Sequence, residues 1–268
     1  MFLVEYNIND MAKTEIKVRD FDLFCDVMKS TAKLVESAKL HIDQNGLSIY
    51  GAHGYVARCE VTTDAVWSSS PIEFSLLELS TFTRILQSVQ DVHEGDYSTF
   101  KFIVDLPFVR FESKKFKTKL STCNEEVIAK SISKKLEAKY KTVCEFTTTS
   151  DLIKRVLSHQ FIFSSTDSLR VYLETKDDME KNTVYATLGN KQTNLNNEIT
   201  LKLGLVNIGK FDKPIVLDAE RLTLFNSVQS NDIKVQLVDL NFLTSKVTMK
   251  GKNDTYCTVV VHSSFLKA

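Results

Sequence analysis

With 268 residues, 43% hydrophobic and 25% charged, the chain has length for two cores of ordinary globular composition. No apolar run approaches the ~18 residues of a membrane span, and the start Met1-Phe2-Leu3-Val4-Glu5 lacks a secretory signal's basic region. The formal charge is zero but unevenly spread: residues 1–112 carry 10 basic and 17 acidic side chains, residues 113–141 nine Lys against three Glu, and residues 142–268 15 basic and 14 acidic. That distribution excludes a nucleic-acid binder that is basic throughout, and confines any such contact to cations gathered on one surface.

In chain order, the 3–4 spacing of Phe24, Val27, Met28, Thr31, Leu34 and Val35 predicts a first helix at about 21–36, with Asp22, Asp26, Lys29 and Lys33 on its other face. Residues 39–50 read as a hairpin about Asp43-Gln44-Asn45-Gly46, and 55–63 as a further strand. A second helix, around 76–89, buries Leu79, Phe82, Leu86 and Val89 and exposes Arg84, Gln87 and Ser88. A turn at 91–97 and strands at 100–105, 108–113 and 116–121 follow. The Lys-rich stretch after them places Ile128, Ile132, Leu136 and Tyr140 every four residues behind Glu125 and Glu126. It fits a basic amphipathic helix at 125–140 or a solvated linker.

A third helix at 149–159 buries Leu152, Ile153, Val156 and Leu157 and exposes Lys154, Arg155, Ser158 and His159. Strands are expected at 161–165, 169–175, 183–188 and 198–206. A fourth helix from an Asp218 N-cap buries Leu222, Phe225 and Val228 and exposes Arg221, Asn226 and Gln229, before strands at 233–238, 243–250 and 256–263. The order helix, strands, helix, strands thus occurs twice, in units of roughly 120 to 130 residues. This predicts an α+β chain of two similar domains, 1–120 and 144–268, joined by a connector at 121–143, each with two helices packed on curved antiparallel sheets.

Catalytic chemistry finds little support. His93, Glu94 and Asp96 read as a hairpin turn rather than a metal site, and Asp177, Asp178 and Glu180 as a polar loop. Phe100 to Val104 alternates as a strand with one face in a core, not as a base-stacking platform. Glycine-rich phosphate loops and HExxH or GxSxG patterns are missing, so no cofactor, metal or catalytic residue is expected. Five widely spaced cysteines without a CxxC pair read as free thiols in a reducing, intracellular compartment. The recurrent feature is Lys or Arg on the polar face of all four helices, suited to mobile, sequence-blind phosphate contacts.

Residues 38–61, with the Asn45-Gly46 hairpin followed by the small-residue turn Gly51-Ala52-His53-Gly54, resemble the first domain of DNA polymerase sliding clamps of the proliferating cell nuclear antigen type. Leu79-Ser80-Thr81-Phe82-Thr83-Arg84-Ile85-Leu86 is similar to that family's second helix, and Asp151-Leu152 with Val156-Leu157-Ser158-His159 to its third. The resemblance implies the DNA-clamp fold and a homotrimeric ring that encircles duplex DNA, tethers the replicative DNA polymerase and is placed by a clamp loader. The neutral charge and Lys-rich connector leave open a non-ring, monomeric or dimeric accessory subunit, as in herpesviruses. Carried over by position, Lys29, Lys33, Arg84, Lys154, Arg155, His159 and Arg221 would face DNA. Phe116, Thr118 and Leu120 would meet Thr183, Tyr185 and Thr187 of the next subunit. Ala52, Tyr55, Val127, Ile128, Val261 and Phe265 would form a pocket for a partner peptide.

Overall fold

The computed structural model describes residues 13–53, 57–124, 128, 141–159, 170–178, 181–189, 198–226, 228–238, 242–252 and 254–264. Its first series of elements is β1 (Thr14–Val18), α1 (Phe21–Leu34), β2 (Ala38–Asp43), β3 (Gly46–His53), β4 (Ala57–Thr63), β5 (Val66–Trp67), β6 (Ile72–Leu76), α2 (Leu79–His93), β7 (Lys101–Asp105), β8 (Phe108–Glu112) and β9 (Lys117–Ser121). The second is β10 (Thr142–Thr148), α3 (Ser150–His159), β11 (Arg170–Asp178), β12 (Lys181–Gly189), β13 (Glu198–Gly209), β14 (Ile215–Asp218), α4 (Ala219–Phe225), β15 (Ile233–Val238), β16 (Phe242–Lys250) and β17 (Tyr256–Ser264). The α+β class expected from the sequence is observed. Five strands escape its periodicity: β1, β5, β6, β10 and β14. All but β5 lie within a few residues of the start of a helix, so their short alternation merges with the helical pattern. Asp177 and Asp178 belong to β11, not to a loop. The strand expected at 161–165, and the 125–140 helix apart from Ile128, fall outside the described residues.

Local chemistry fixes the helix ends. Asp20, extended at φ −141°, caps α1 by accepting the Leu23 N–H at Oδ1 (2.9 Å). Asp22 in the first turn and Lys33 in the last complement the helix dipole. α2 runs past the expected Val89 to His93 because His93 is buried in a defined polar nest. Its Nδ1–H donates to the Asp96 carbonyl (3.0 Å), and Nε2 accepts the Ser113 hydroxyl (2.9 Å). At the β2–β3 turn Gly46 has φ +135°, and a Cβ there would lie 2.2 Å from the Thr63 carbonyl oxygen. Only glycine fits that turn.

The two series pair their strands alike. β1-β7-β8-β9 corresponds to β10-β15-β16-β17, and β6-β2-β3-β4 to β14-β11-β12-β13. They fuse where β17 pairs antiparallel with β4, from Cys257 opposite Thr63 to Ser263 opposite Ala57, in one twelve-stranded sheet. Register carries buried residues straight across the fusion, as in the file Cys59, Val261, Ser245, Val235 and Phe146, which ends on the half-buried Val206. α1 packs on β3 and β4, and α3 on β12 and β13. Beneath α1 and α2, Phe24, Phe82, Phe102 and Phe111 are fully buried with centroids 5.0–6.4 Å apart. Truncating one such ring to Ala costs about 3–5 kcal/mol.

Candidate nucleic-acid interface and strand edges

α1 lies against α2, and α3 against α4. On α1, Lys33 is exposed, while Lys29 is half-buried and reaches Gln90 Oε1 at 3.4 Å. Gln90 Nε2 in turn donates to Asp22 Oδ1 (3.3 Å), which also accepts the Tyr97 hydroxyl (3.2 Å). Asp22 Oδ2 takes the ammonium of Lys252 at 2.8 Å. The Lys252 hydrogen bond, then those from Tyr97 and Gln90, hold the Asp22 carboxyl below its ordinary range against the opposing effect of burial. The α1–α2 surface is therefore a balanced network of both signs. Arg84 is exposed on it, with Asp91 two turns further along.

On α3, Lys154 and Arg155 are exposed, and His159 Nδ1–H donates to the Arg155 carbonyl (2.7 Å), fixing the ring at the helix C-terminus. This helix carries the least offset positive charge of the four. α4 departs from expectation. The Arg221 side chain is 11% exposed and lies 3.5 Å from Asp218, so it stabilises the helix start instead of facing solvent. Asp218 stands at the N-cap position without a side-chain cap bond. Contrary to expectation, Arg221 therefore does not join the exposed cations on the helix faces.

The expected subunit edges divide. β9 ends the five-stranded sheet, with Thr118 and Leu120 half-buried on its inner side and Phe116 just before it packed on the core. β12 is not an edge. Thr183, Tyr185 and Thr187 pair with β11 on one side and β13 on the other. The open edge belongs to β13: residues 198–204 pair with β12 alone, and β10 takes over only from Leu205 to Gly209. The sequence pattern predicts only a strand at 198–206, and the run on to Gly209, past the end of its pairing with β12, is seen only in the structure.

Of the expected partner-peptide residues, Val261 is 2% exposed within the core, opposite Cys59 and Ser245, and cannot line an open pocket. Ile128 is 4% exposed. Ala52 lies in β3, its side chain outside the described set, as are Tyr55, Val127 and Phe265. Where the connector begins, the Cys123 N–H donates to the Ser75 carbonyl (2.9 Å) and so covers the β6 edge. A cleft of about 400 Å³ opens beside that bond, between Phe74, Leu106, Pro107 and Cys123 and the Lys39–Glu73 ion pair. Among the described residues no group of His, Cys, Asp and Glu is arranged to hold a metal ion. No described helix is long and apolar enough to cross a membrane. Burial pushes the Cys59 and Cys257 thiols up to about 12, which keeps them protonated.

No protein-family model and no curated protein matches the chain by sequence. Solved structures do match by fold. The Helicobacter pylori β clamp in complex with 5-chloroisatin aligns with a TM-score of 0.69 at 15% identity, over 100% of this chain and 69% of that one. The Archaeoglobus fulgidus PCNA bound to the C-terminal region of FEN-1 aligns at 0.68 and 13% identity, over 96% and 99%. Entamoeba histolytica PCNA aligns at 0.65 and 15%, over 95% and 99%. The duplicated series, the helices packed on the fused sheet and these alignments agree on one architecture: the chain has the sliding-clamp fold.

Proposed function

We propose that this protein is a non-catalytic sliding clamp, three copies of which close a ring around duplex DNA and hold a DNA polymerase to its template. The observation that carries the reading is the β17–β4 joint. β9 is to the first series what β17 is to the second, and the β13 edge at 198–204 is to the second what β4 is to the first. Repeating the internal joint between copies therefore brings β9 against β13 and satisfies two open edges at once. Leu120 and Leu201, both half-buried at those edges, would be covered by it.

In such a ring the helices face the hole. Lys33, Arg84, Lys154 and Arg155, with Lys29 and His159, supply sequence-independent phosphate contacts, and α3 supplies most of the field. The outer side receives partners. Because the A. fulgidus protein was solved with the C-terminal region of FEN-1, a peptide site over the connector is proposed here too, at Ala52, Tyr55, Val127 and Phe265, with the buried Ile128 and Val261 supporting it from below. A loader that opens the ring is part of the same reading.

Light scattering at micromolar concentration tests it. Three chains of 30.4 kDa give about 91 kDa, and Leu120→Asp with Leu201→Asp should return the mass of one chain. A wild-type protein that remains a single chain, or a doubly substituted one that still assembles, would overturn the ring. Stimulation of polymerase processivity on circular DNA by the assembled form alone tests the activity.

A further inference from the structure

The internal joint carries a latch besides its strand pairing. The β16–β17 turn closes with the Gly251 N–H on the Thr255 carbonyl (2.9 Å) and leans on the first turn of α1. The Lys252 N–H donates to Asp20 Oδ2 (2.7 Å), and so does the Thr255 hydroxyl (2.9 Å). The Lys252 ammonium reaches Asp22 Oδ2 at 2.8 Å. The approach is tight: a Cβ on Gly251 would sit 2.6 Å from Asp20 Oδ2.

The repeat supplies both halves of a second latch and leaves them apart in the single chain. The β8–β9 turn is the counterpart of the β16–β17 turn. It closes with the Ser113 N–H on the Phe116 carbonyl (2.7 Å), and Lys114 follows Ser113 as Lys252 follows Gly251. α3 is the counterpart of α1. Thr149 takes the cap position, its hydroxyl oxygen accepting the Leu152 N–H (3.2 Å), and Asp151 is the second residue of α3 as Asp22 is of α1. Lys114 and Asp151 are both exposed.

We propose that Lys114 of one copy pairs with Asp151 of the next, reproducing the Lys252–Asp22 contact across every subunit boundary. The proposal rests on the ring reading and adds to it a charge pair that selects a second copy of this chain and orients it. The two latches differ in one respect. Asp20 caps Leu23 with Oδ1 and keeps Oδ2 for the incoming turn, whereas Thr149 has a single hydroxyl oxygen, already engaged with Leu152. The boundary between copies thus relies more on its exposed ion pair than the joint within a chain does, and salt weakens it more.

Sedimentation over a concentration series, at about 50 and 500 mM salt, tests the pairing with Lys114→Asp, Asp151→Lys and the double exchange. At low salt each single reversal should raise the concentration for half-assembly about tenfold, with three boundaries per ring each losing an attraction and gaining a repulsion. The double exchange should return it to within about threefold of wild type, and at high salt the differences should shrink. Lys114→Gln and Asp151→Asn, which leave the fold least disturbed, should each cost about two- to threefold. Reversals that assemble like wild type, or a double exchange no better than the single ones, would refute the pairing and leave the ring intact. A wild-type chain that never assembles would instead refute the ring.

Discussion

Asp20 joins two tasks in one buried carboxylate: it caps α1 and receives the turn of a hairpin 232 residues away. Asp20→Ala strands the N–H groups of Leu23 and Lys252, and should lower unfolding free energy by about 2–4 kcal/mol in urea titrations with little change in slope. Its neighbour Asp22 gives a pH signature. A carboxyl held below its unfolded-state range contributes stability that is present above about pH 4, the unfolded value, and is lost as pH falls through the lower folded one. The melting-temperature gap between wild type and Lys252→Gln should accordingly narrow between pH 7 and pH 3. An unchanged gap would show that the Asp22–Lys252 contact contributes nothing measurable. Neither partnership can be read from the sequence, because periodicity places Asp20 and Asp22 at a helix start but says nothing of which distant turn arrives there.

Among the elements, α3 is where exposed cations are least offset by acids, and the α1–α2 surface is where they are most offset. Reversing Lys154 and Arg155 together should cut DNA affinity in every sequence context and flatten the salt slope by roughly one unit per cation or less. Reversing Lys29, already drawn toward Gln90, should do less, and Arg221→Ala should lower thermal stability rather than DNA affinity. Equal losses at Lys29 and at Lys154 would contradict this ranking. Helix positions and inward-facing residues were legible because a 3.6-residue period reports burial directly. Strand neighbours were not. Alternation in Thr183 to Leu188 states which side chains point inward, and it is silent on whether a strand lies on each side. For the same reason alternation cannot tell β12, which is paired on both sides, from β13, whose 198–204 stretch has one neighbour. The burial of Arg221 is not legible, because helical spacing places it on the polar face and does not show that its side chain lies back against the helix start beside Asp218.

At the scale of the whole molecule, the repeat was the most legible feature, since two helices in the same order followed by strand runs survive small errors in every boundary. The fusion of the two series into one sheet was not legible, because the pairing of β4 with β17 leaves no local mark in either strand. That pairing bears on how the protein is made. Thr63 meets Tyr256 across 193 residues, so on the ribosome the open edge of β4 waits for nearly the rest of the chain. At 5–20 residues per second the wait is roughly 10–40 s. For that time the nascent first half presents an unpaired strand above a largely formed core, the condition in which sheets pair with the wrong neighbour. Among the described strands of the first series, β9 also ends its sheet with one side unpaired, and it is the strand the proposed ring uses between copies. Premature pairing of nascent chains on one message through β9 and β4 is thus the misassembly this architecture must outrun, and the cations Lys117 and Lys119 that β9 points to solvent are the kind of charge that slows it.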